Sequence, residues 1–508
     1  MNLPKKKSSF DWASFESLLR QGQQQSVRET LSRIKAKNVP ISDAHLFANQ
    51  LRRSGESLRA IRYLGSFLSS DSKKSKLPFK SGPIQAELAA TLNAIGAPEQ
   101  AATILKNLNA TDYPKISLYR AFVSISRWEY VEAKNEIAKY LPMATDSYDE
   151  ITAKSNLAAC EVALGSNLEA QNLLVELEEK ISKGDYKFLE SNILLLKAQH
   201  LIQQEKPSAA QSILVHLLSI TRSPTTLLLI GKWMWVVQVS LCKSLQERQK
   251  HLVKWEELQS KAQEMRLTEV ARDLDLKRAL HFKDVQLLKK VFHGTPFPQY
   301  KVRIKTEAEL HFDMKLDLKE EFRWSQNIES SDKSKIEHFV NLESGQTQNP
   351  KVFFKKESTL HKLFKVLSSD LYRAWGAPSI HSALFPDMIY NPNSSPGLVF
   401  EHVQRLRRFL NEKRIGAEIL RKANFFFVQL KPKISLIYNS QDSLSGEEFL
   451  WMADLKSEVK GDSFTLQAAE KFWKIPKRSL QRRLQKLVKK GLITLNSRGK
   501  NSTYNFAP

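Results

Sequence analysis

Near the end of the 508-residue chain, Arg478, Gln481, Arg482 and Gln485 recur at intervals of three and four residues. That spacing places them on one side of a helix, with Leu480, Leu484 and Leu487 on the other. Arginine and glutamine can form paired hydrogen bonds with base edges, arginine with O6 and N7 of guanine and glutamine with adenine. Lys477, Arg483, Lys486, Lys489 and Lys490 around them supply the charge that holds phosphates, and Arg498 and Lys500 add two cations on the turn that follows. A second set lies upstream in EHVQRLRRFL, where Val399, Val403, Leu406 and Leu410 share one helical face. His402, Arg405 and Arg408 point elsewhere, and Arg421 and Lys422 follow at a hairpin turn. The bland reading of either set is a solvated basic helix face.

No other constellation competes with these two. The chain has no Walker loop, G-x-S-x-G, H-E-x-x-H or Cys/His metal spacing, and its eleven histidines are scattered. Catalysis, metal and cofactors are therefore not assigned, and the chain is expected not to be an enzyme.

Positioning the first set requires a small domain, expected over 441–508. After the acidic stretch SQDSLSGEE come a helix (FLWMADLKSEVKG), a short helix (TLQAAEKFW), a tight turn (KIP), the helix KRSLQRRLQKLVKKG and a hairpin (LITLNSRGKNSTYNF). With Gly491, Leu492, Ile493, Gly499, Thr503 and Tyr504, this resembles the winged helix-turn-helix of many bacterial regulators, and the resemblance adds Tyr504 on the wing to the expected DNA contacts.

The second set is expected in a domain over 296–440. Period-2 alternation through Tyr300, Val302 and Ile304, then Leu310 to Leu318, then Ile336 to Leu342, with KVFF at 351–354, predicts a small antiparallel sheet. An amphipathic helix capped by Ser358 follows, then a helix with Ser395 as cap and Pro396 at its first position. With EHVQRLRRFL as recognition helix, this order resembles the winged-helix effector domain of OmpR-type response regulators. No receiver domain accompanies it, so phosphorylation switching is not implied. The alternative is a domain that keeps the fold and uses its helix for protein contacts.

From 11 to 295 the apolar spacing is helical throughout. A pattern of Gly, four residues, then Ala marks three turns between helices: Gly55 and Ala60, Gly96 and Ala101, Gly165 and Ala170. Trp128 with Ala133 and Glu205 with Ala210 are weaker copies. The glycine is expected to let paired helices approach and the alanine to let them pack closely. These segments resemble tetratricopeptide repeats, which implies a groove for a protein or peptide partner; a generic helix-pair array or a dimerisation solenoid fits the same pattern. Trp233, Trp235 and Trp255 read as core.

Composition agrees with a multidomain globular chain. Only 17 Gly and 19 Pro exclude collagen-like and low-complexity classes. Cys160 and Cys242 sit in apolar helical patterns, which fits a reducing compartment. Residues 1–10 read as a flexible basic N-terminus rather than a secretory signal, so a cytoplasmic location is expected. The apolar run Pro224–Cys242 approaches a span in length, but Lys232 and Gln238 inside it favour a buried helix over a membrane anchor. The net charge of +24 is uneven: 463–508 holds 11 basic residues and one acidic, 396–440 holds 9 and 3, and 441–462 between them is acidic. Such a distribution implies a polyanion at the two helix-and-hairpin segments.

The expected fold is mostly α: an α-solenoid of helix pairs plus two small α+β winged-helix domains. The expected function is a bacterial-type transcriptional regulator that binds double-stranded DNA through tandem winged helices and a protein partner through its repeats, with homodimerisation open and no membrane association. A non-enzymatic scaffold with winged helices as docking modules is the alternative.

Overall fold

The computed structural model describes residues 10–67, 82–182, 187–312, 321–326, 338–347, 357–438, 463–473, 477–489, 493–496 and 503–506, with isolated residues between 349 and 355 and Leu455 and Val459. The basic segment 1–9 lies outside the described residues. The chain is mostly helical, with a few small sheets. Eighteen helices come first: α1 (Trp12–Arg20), α2 (Gln24–Arg33), α3 (Ala44–Arg53), α4 (Ser57–Gly65), α5 (Gly82–Ala94), α6 (Pro98–Lys106), α7 (Lys115–Ser126), α8 (Tyr130–Tyr140), α9 (Ser147–Leu164), α10 (Asn167–Ser182), α11 (Lys187–Gln203), α12 (Pro207–Ile220), α13 (Pro224–Leu241), α14 (Leu245–Gln249), α15 (Leu252–Glu264), α16 (Thr268–Phe282), α17 (Val285–His293) and α18 (Pro298–Phe312). Apolar clusters overlap along this file, from α1–α4 through α3–α7, α7–α9 and α9–α11 to α11–α16. From α1 to α13, and again in α15 and α16, the helices thus bury apolar side chains against near neighbours in sequence.

The turn pattern has a sharper cause than close approach. Gly55, Gly96 and Gly165 all have positive φ, and so do Trp128 and Glu205 at the equivalent places. In each case the next residue's N–H returns to the carbonyl five positions earlier: Glu56 to Leu51, Ala97 to Leu92, Glu129 to Ser124, Ser166 to Glu161 and Lys206 to Leu201. This is the left-handed helix cap, which satisfies carbonyls that the helix end leaves unpaired. The alanine five residues after each cap is fully buried. Gly22 with Val27, Arg266 with Ala271 and Lys283 with Leu288 repeat the same cap, return bond and buried residue.

The apolar helix α13 belongs to this core. Lys232 is buried, its Nζ 2.6 Å from Asp273 Oδ2 and 4.2 Å from the Trp233 ring centroid. Trp235 is buried and donates to the His251 carbonyl, while Trp255 is half-buried and donates to that of Leu274. Among the described residues no helix is long and apolar enough to cross a membrane. Both cysteines are free thiols, Cys160 buried.

Between 298 and 354 the structure departs from the expected sheet. Tyr300, Val302 and Ile304 lie in helix α18, not a strand; Tyr300, Ile304, Ala308 and Phe312 are buried at a strict four-residue interval, so a helical stripe overlaid the two-residue alternation. Leu310 also lies in α18, and 313–318 lies outside the described residues. Strands β1 (Phe322–Trp324) and β2 (His338–Asn341) flank a later strand, β6 (Ile434–Tyr438), antiparallel and parallel respectively, so the sheet is mixed. Val352 and Phe354 are not in a strand. Phe354 is core.

Next come α19 (Thr359–Ser369), β3 (Trp375–Gly376), α20 (Ala377–Leu384), α21 (Ser395–Glu412), β4 (Ala417–Lys422) and β5 (Phe425–Leu430), with β3 and β4 both antiparallel to β5. Ser358 caps α19 by accepting from the His361 N–H. At α21 the capping position is Ser394, one residue earlier than expected, and Ser395 Oγ instead accepts from the Asn391 N–H. After β6 the chain forms β7 (Ser463–Thr465), α22 (Leu466–Trp473), α23 (Lys477–Lys489), β8 (Ile493–Leu495) and β9 (Thr503–Phe506). The helix expected in 449–461 falls largely outside the described residues; Val459 N–H donates to the Leu455 carbonyl, one helical turn apart.

Two compact units result: 1–297 with 304–439, and 298–303 with 440–508. Segment 370–390 lies on the helical file at two places. Asp370 pairs with buried Arg272 of α16 at 2.5 Å, and Tyr372 donates to Asp275 at 2.7 Å. At α6, buried Gln100 donates to the Met388 carbonyl and to His381 Nδ1, and accepts from the Tyr390 N–H. A helix face open in an isolated array is thus occupied by the chain itself.

Candidate nucleic-acid interface

Helix α23 carries the first residue set. Leu480, Leu484 and Leu487 are buried against Leu455, Phe464, Leu466, Ala469, Ile493, Tyr504 and Phe506. That anchoring fixes the rotation of the helix, and Lys477, Arg478, Gln481, Arg482 and Gln485 are left exposed. None of these five side chains has a hydrogen bond or ion pair among the described residues. Arg483 is half-buried at the edge of the face. Arg498, Lys500 and the side chain of Lys486 lie outside the described residues.

Local chemistry holds this helix in place. Thr465 Oγ1 accepts from the Ala468 N–H at 3.2 Å and so caps α22, which leads into α23. Strand β9 is central, pairing with β7 (Phe464 opposite Tyr504) and with β8 (Ile493 opposite Phe506). Tyr504, expected among the DNA contacts of the wing, is buried, its ring stacked on Phe464 with centroids 5.4 Å apart, and burial pushes its hydroxyl pKa up. The alternation along β9 turns Tyr504 and Phe506 inward together.

Helix α21 carries the second set. Val399, Val403, Leu406 and Leu410 are buried as expected. Arg405 is exposed and pairs with Glu401 one turn back, at 2.5 Å. Arg408 is exposed, with no partner among the described residues. His402 is half-buried, its ring 5.6 Å from Phe385; burial and the Arg405 charge lower its pKa, so it is neutral near pH 7. In the hairpin Arg421 braces its own turn, donating to the Ala423 carbonyl at 2.8 Å and lying 4.7 Å from the Phe400 ring centroid. Lys422 stays exposed. Ala423, with φ +54°, makes the turn, where a glycine is ordinarily expected.

The two sites share a scaffold: a short strand, two helices and a hairpin, with the strand paired to the second arm of the hairpin. Compared with known family models, curated proteins and solved structures, the chain matches none. The chemistry of the two helix faces nonetheless differs. The face on α23 presents cations and amides together, whereas on α21 Arg405 is paired with Glu401, and Arg421 of β4 is folded onto the module. The residues that dock the first module, Gln100, Arg272, Tyr372, His381 and Tyr390, carry no sequence signal of their own, because their partners lie 97 to 290 positions away.

Proposed function

We propose that this chain is a DNA-binding transcriptional regulator, in which an α-solenoid of tetratricopeptide-like helix pairs holds a protein or peptide partner and C-terminal winged helices contact duplex DNA. The observation that carries the reading is the face of α23, where the side chains of Arg478, Gln481, Arg482 and Gln485 stand exposed, and unpaired among the described residues, on a helix anchored by three buried leucines. Such a face offers donors for base edges, with Lys477 beside them for a phosphate. The repeated strand–helix–helix–hairpin order supports tandem winged helices. The acidic-poor sequence from 463 onwards adds a field that attracts a polyanion.

For the first module a protein-docking role has its own support. It is tied to the helical file through Asp370, Tyr372, His381 and Tyr390, and Arg405 and Arg421 are engaged within the module. The test is fluorescence anisotropy of the full chain with duplex DNA over a range of salt. The proposal requires affinity that falls steeply with salt and weakens when Arg478 and Arg482 become Ala. An affinity indifferent to both changes leaves the scaffold reading. If Arg408→Ala and Lys422→Ala leave binding unchanged, the first module is the docking element.

A further inference from the structure

The first module contains a cavity of about 440 Å³ between the start of α19 and the outer face of α21. Its size falls within the range of small-ligand sites, roughly 300 to 1,000 Å³. Phe354, Leu360 and Phe409 supply apolar walls, while Lys355 and Arg405 stand at it as cations. His402 also lines the cavity, its Nδ1 shielded from solvent and without a hydrogen-bond partner among the described residues. Glu401 is the acid that engages Arg405, and an exposed pair of this i,i+4 kind is weak enough for a ligand carboxylate to replace it.

We propose that this cavity binds a small organic anion with an aromatic or branched apolar body, its carboxylate held between Lys355 and Arg405 and its body against Leu360 and Phe409. The division of labour follows from the lining. Apolar walls alone would take a neutral hydrocarbon, and the two cations alone would take any inorganic anion. Together they select a molecule with both parts, because the carboxylate meets two positive charges while the body leaves water. The hydroxyls of Ser358 and Thr359 at the rim add polar contacts for the carboxylate, although Ser358 is already engaged as the cap of α19. This site goes beyond the DNA reading and does not depend on it.

Isothermal titration of the full chain with sodium benzoate tests the proposal, with sodium phosphate and benzyl alcohol as probes of each half of the chemistry. Saturable benzoate binding is expected, about tenfold tighter than either control. In a Lys355→Ala/Arg405→Ala chain benzoate binding should weaken about tenfold, the loss expected from two solvent-screened ion contacts. Both side chains are exposed, so the variant should fold; an unchanged far-ultraviolet circular dichroism spectrum checks this. Leu360→Gln tests the apolar wall separately and should weaken benzoate but not phosphate. Absent saturable benzoate binding, phosphate binding as tight as benzoate, or a double variant that binds benzoate as the parent does would each overturn the proposal.

Discussion

On α23 neighbouring side chains are assigned different tasks, and these are separable. Gln481 is uncharged, so if it reads a base edge, Gln481→Ala should cost about 1–3 kcal/mol on the preferred duplex and little on others, with the salt slope unchanged. Lys477→Ala should instead weaken binding to every duplex and reduce the slope of log affinity against log salt by about 1. Anisotropy titrations on two unrelated duplexes at four salt concentrations measure both. Equal losses on the two duplexes for Gln481→Ala would remove it from base reading. A second residue-scale prediction concerns the start of the helical file. Burial would raise the Glu16 pKa, but hydrogen bonds and charge from Arg53 and Arg20 outweigh it and hold the carboxyl at about 2. With the folded pKa below the ordinary value, the stabilisation is full above about pH 4.5 and is lost as pH falls through about 2. Glu16→Gln should therefore lower stability by on the order of 2 kcal/mol at pH 7. Urea midpoints of parent and variant should converge below pH 3, and a constant difference down to that pH would contradict the pairing.

The repeating element of the helical file is a backbone conformation before it is a residue pattern. A left-handed cap followed five residues later by a buried side chain occurs eight times, yet glycine occupies only four of the caps. Elsewhere Trp128, Glu205, Arg266 and Lys283 adopt positive φ without it. Glycine would relieve that strain, so exposed Glu205→Gly should stabilise by about 0.5–1 kcal/mol. Arg266→Gly should show no such gain, because its guanidinium also packs 4.6 Å from the Phe425 ring centroid. Thermal midpoints of the two variants test this, and equal gains would mean that the Phe425 contact contributes nothing. The same comparison shows what could be read from the sequence. Gly55, Gly96 and Gly165 announced their turns; the caps at Arg266 and Lys283 carried no such mark, because neither residue type favours the left-handed conformation. Leu480, Leu484 and Leu487 gave the orientation of α23 directly, since leucines at helical spacing must face a core. Tyr504 could not be oriented in advance, because an aromatic on a strand serves either face until its register is set. At Tyr300, Val302 and Ile304 two periodicities coincided, and the four-residue interval continued by Ala308 and Phe312 was the informative one.

At the scale of the molecule, two modules of one topology have different settings. The first falls in one compact unit with the helical file, whereas the second lies in the other unit. The first setting includes the pair Arg272 with Asp370, both almost fully shielded from water and separated by 98 positions in sequence. An ion pair so buried need not stabilise the fold relative to an apolar pair, but removing one partner leaves the other charged in a medium that solvates it poorly. Arg272→Met should therefore cost about 3–5 kcal/mol, and adding Asp370→Leu should recover most of it. The loss should be local to the docking. In Arg272→Met, hydrogen exchange should rise in α19, α20 and α16, while α1 to α4, whose core contains neither residue, keep their protection. Exchange that rises uniformly along the chain would instead make the pair a determinant of global stability. Duplex affinity supplies the remaining contrast. If α23 is the main DNA contact, releasing the first module changes that affinity little, and a large change in Arg272→Met would show that the first module, held on the helical file, takes part in recognition.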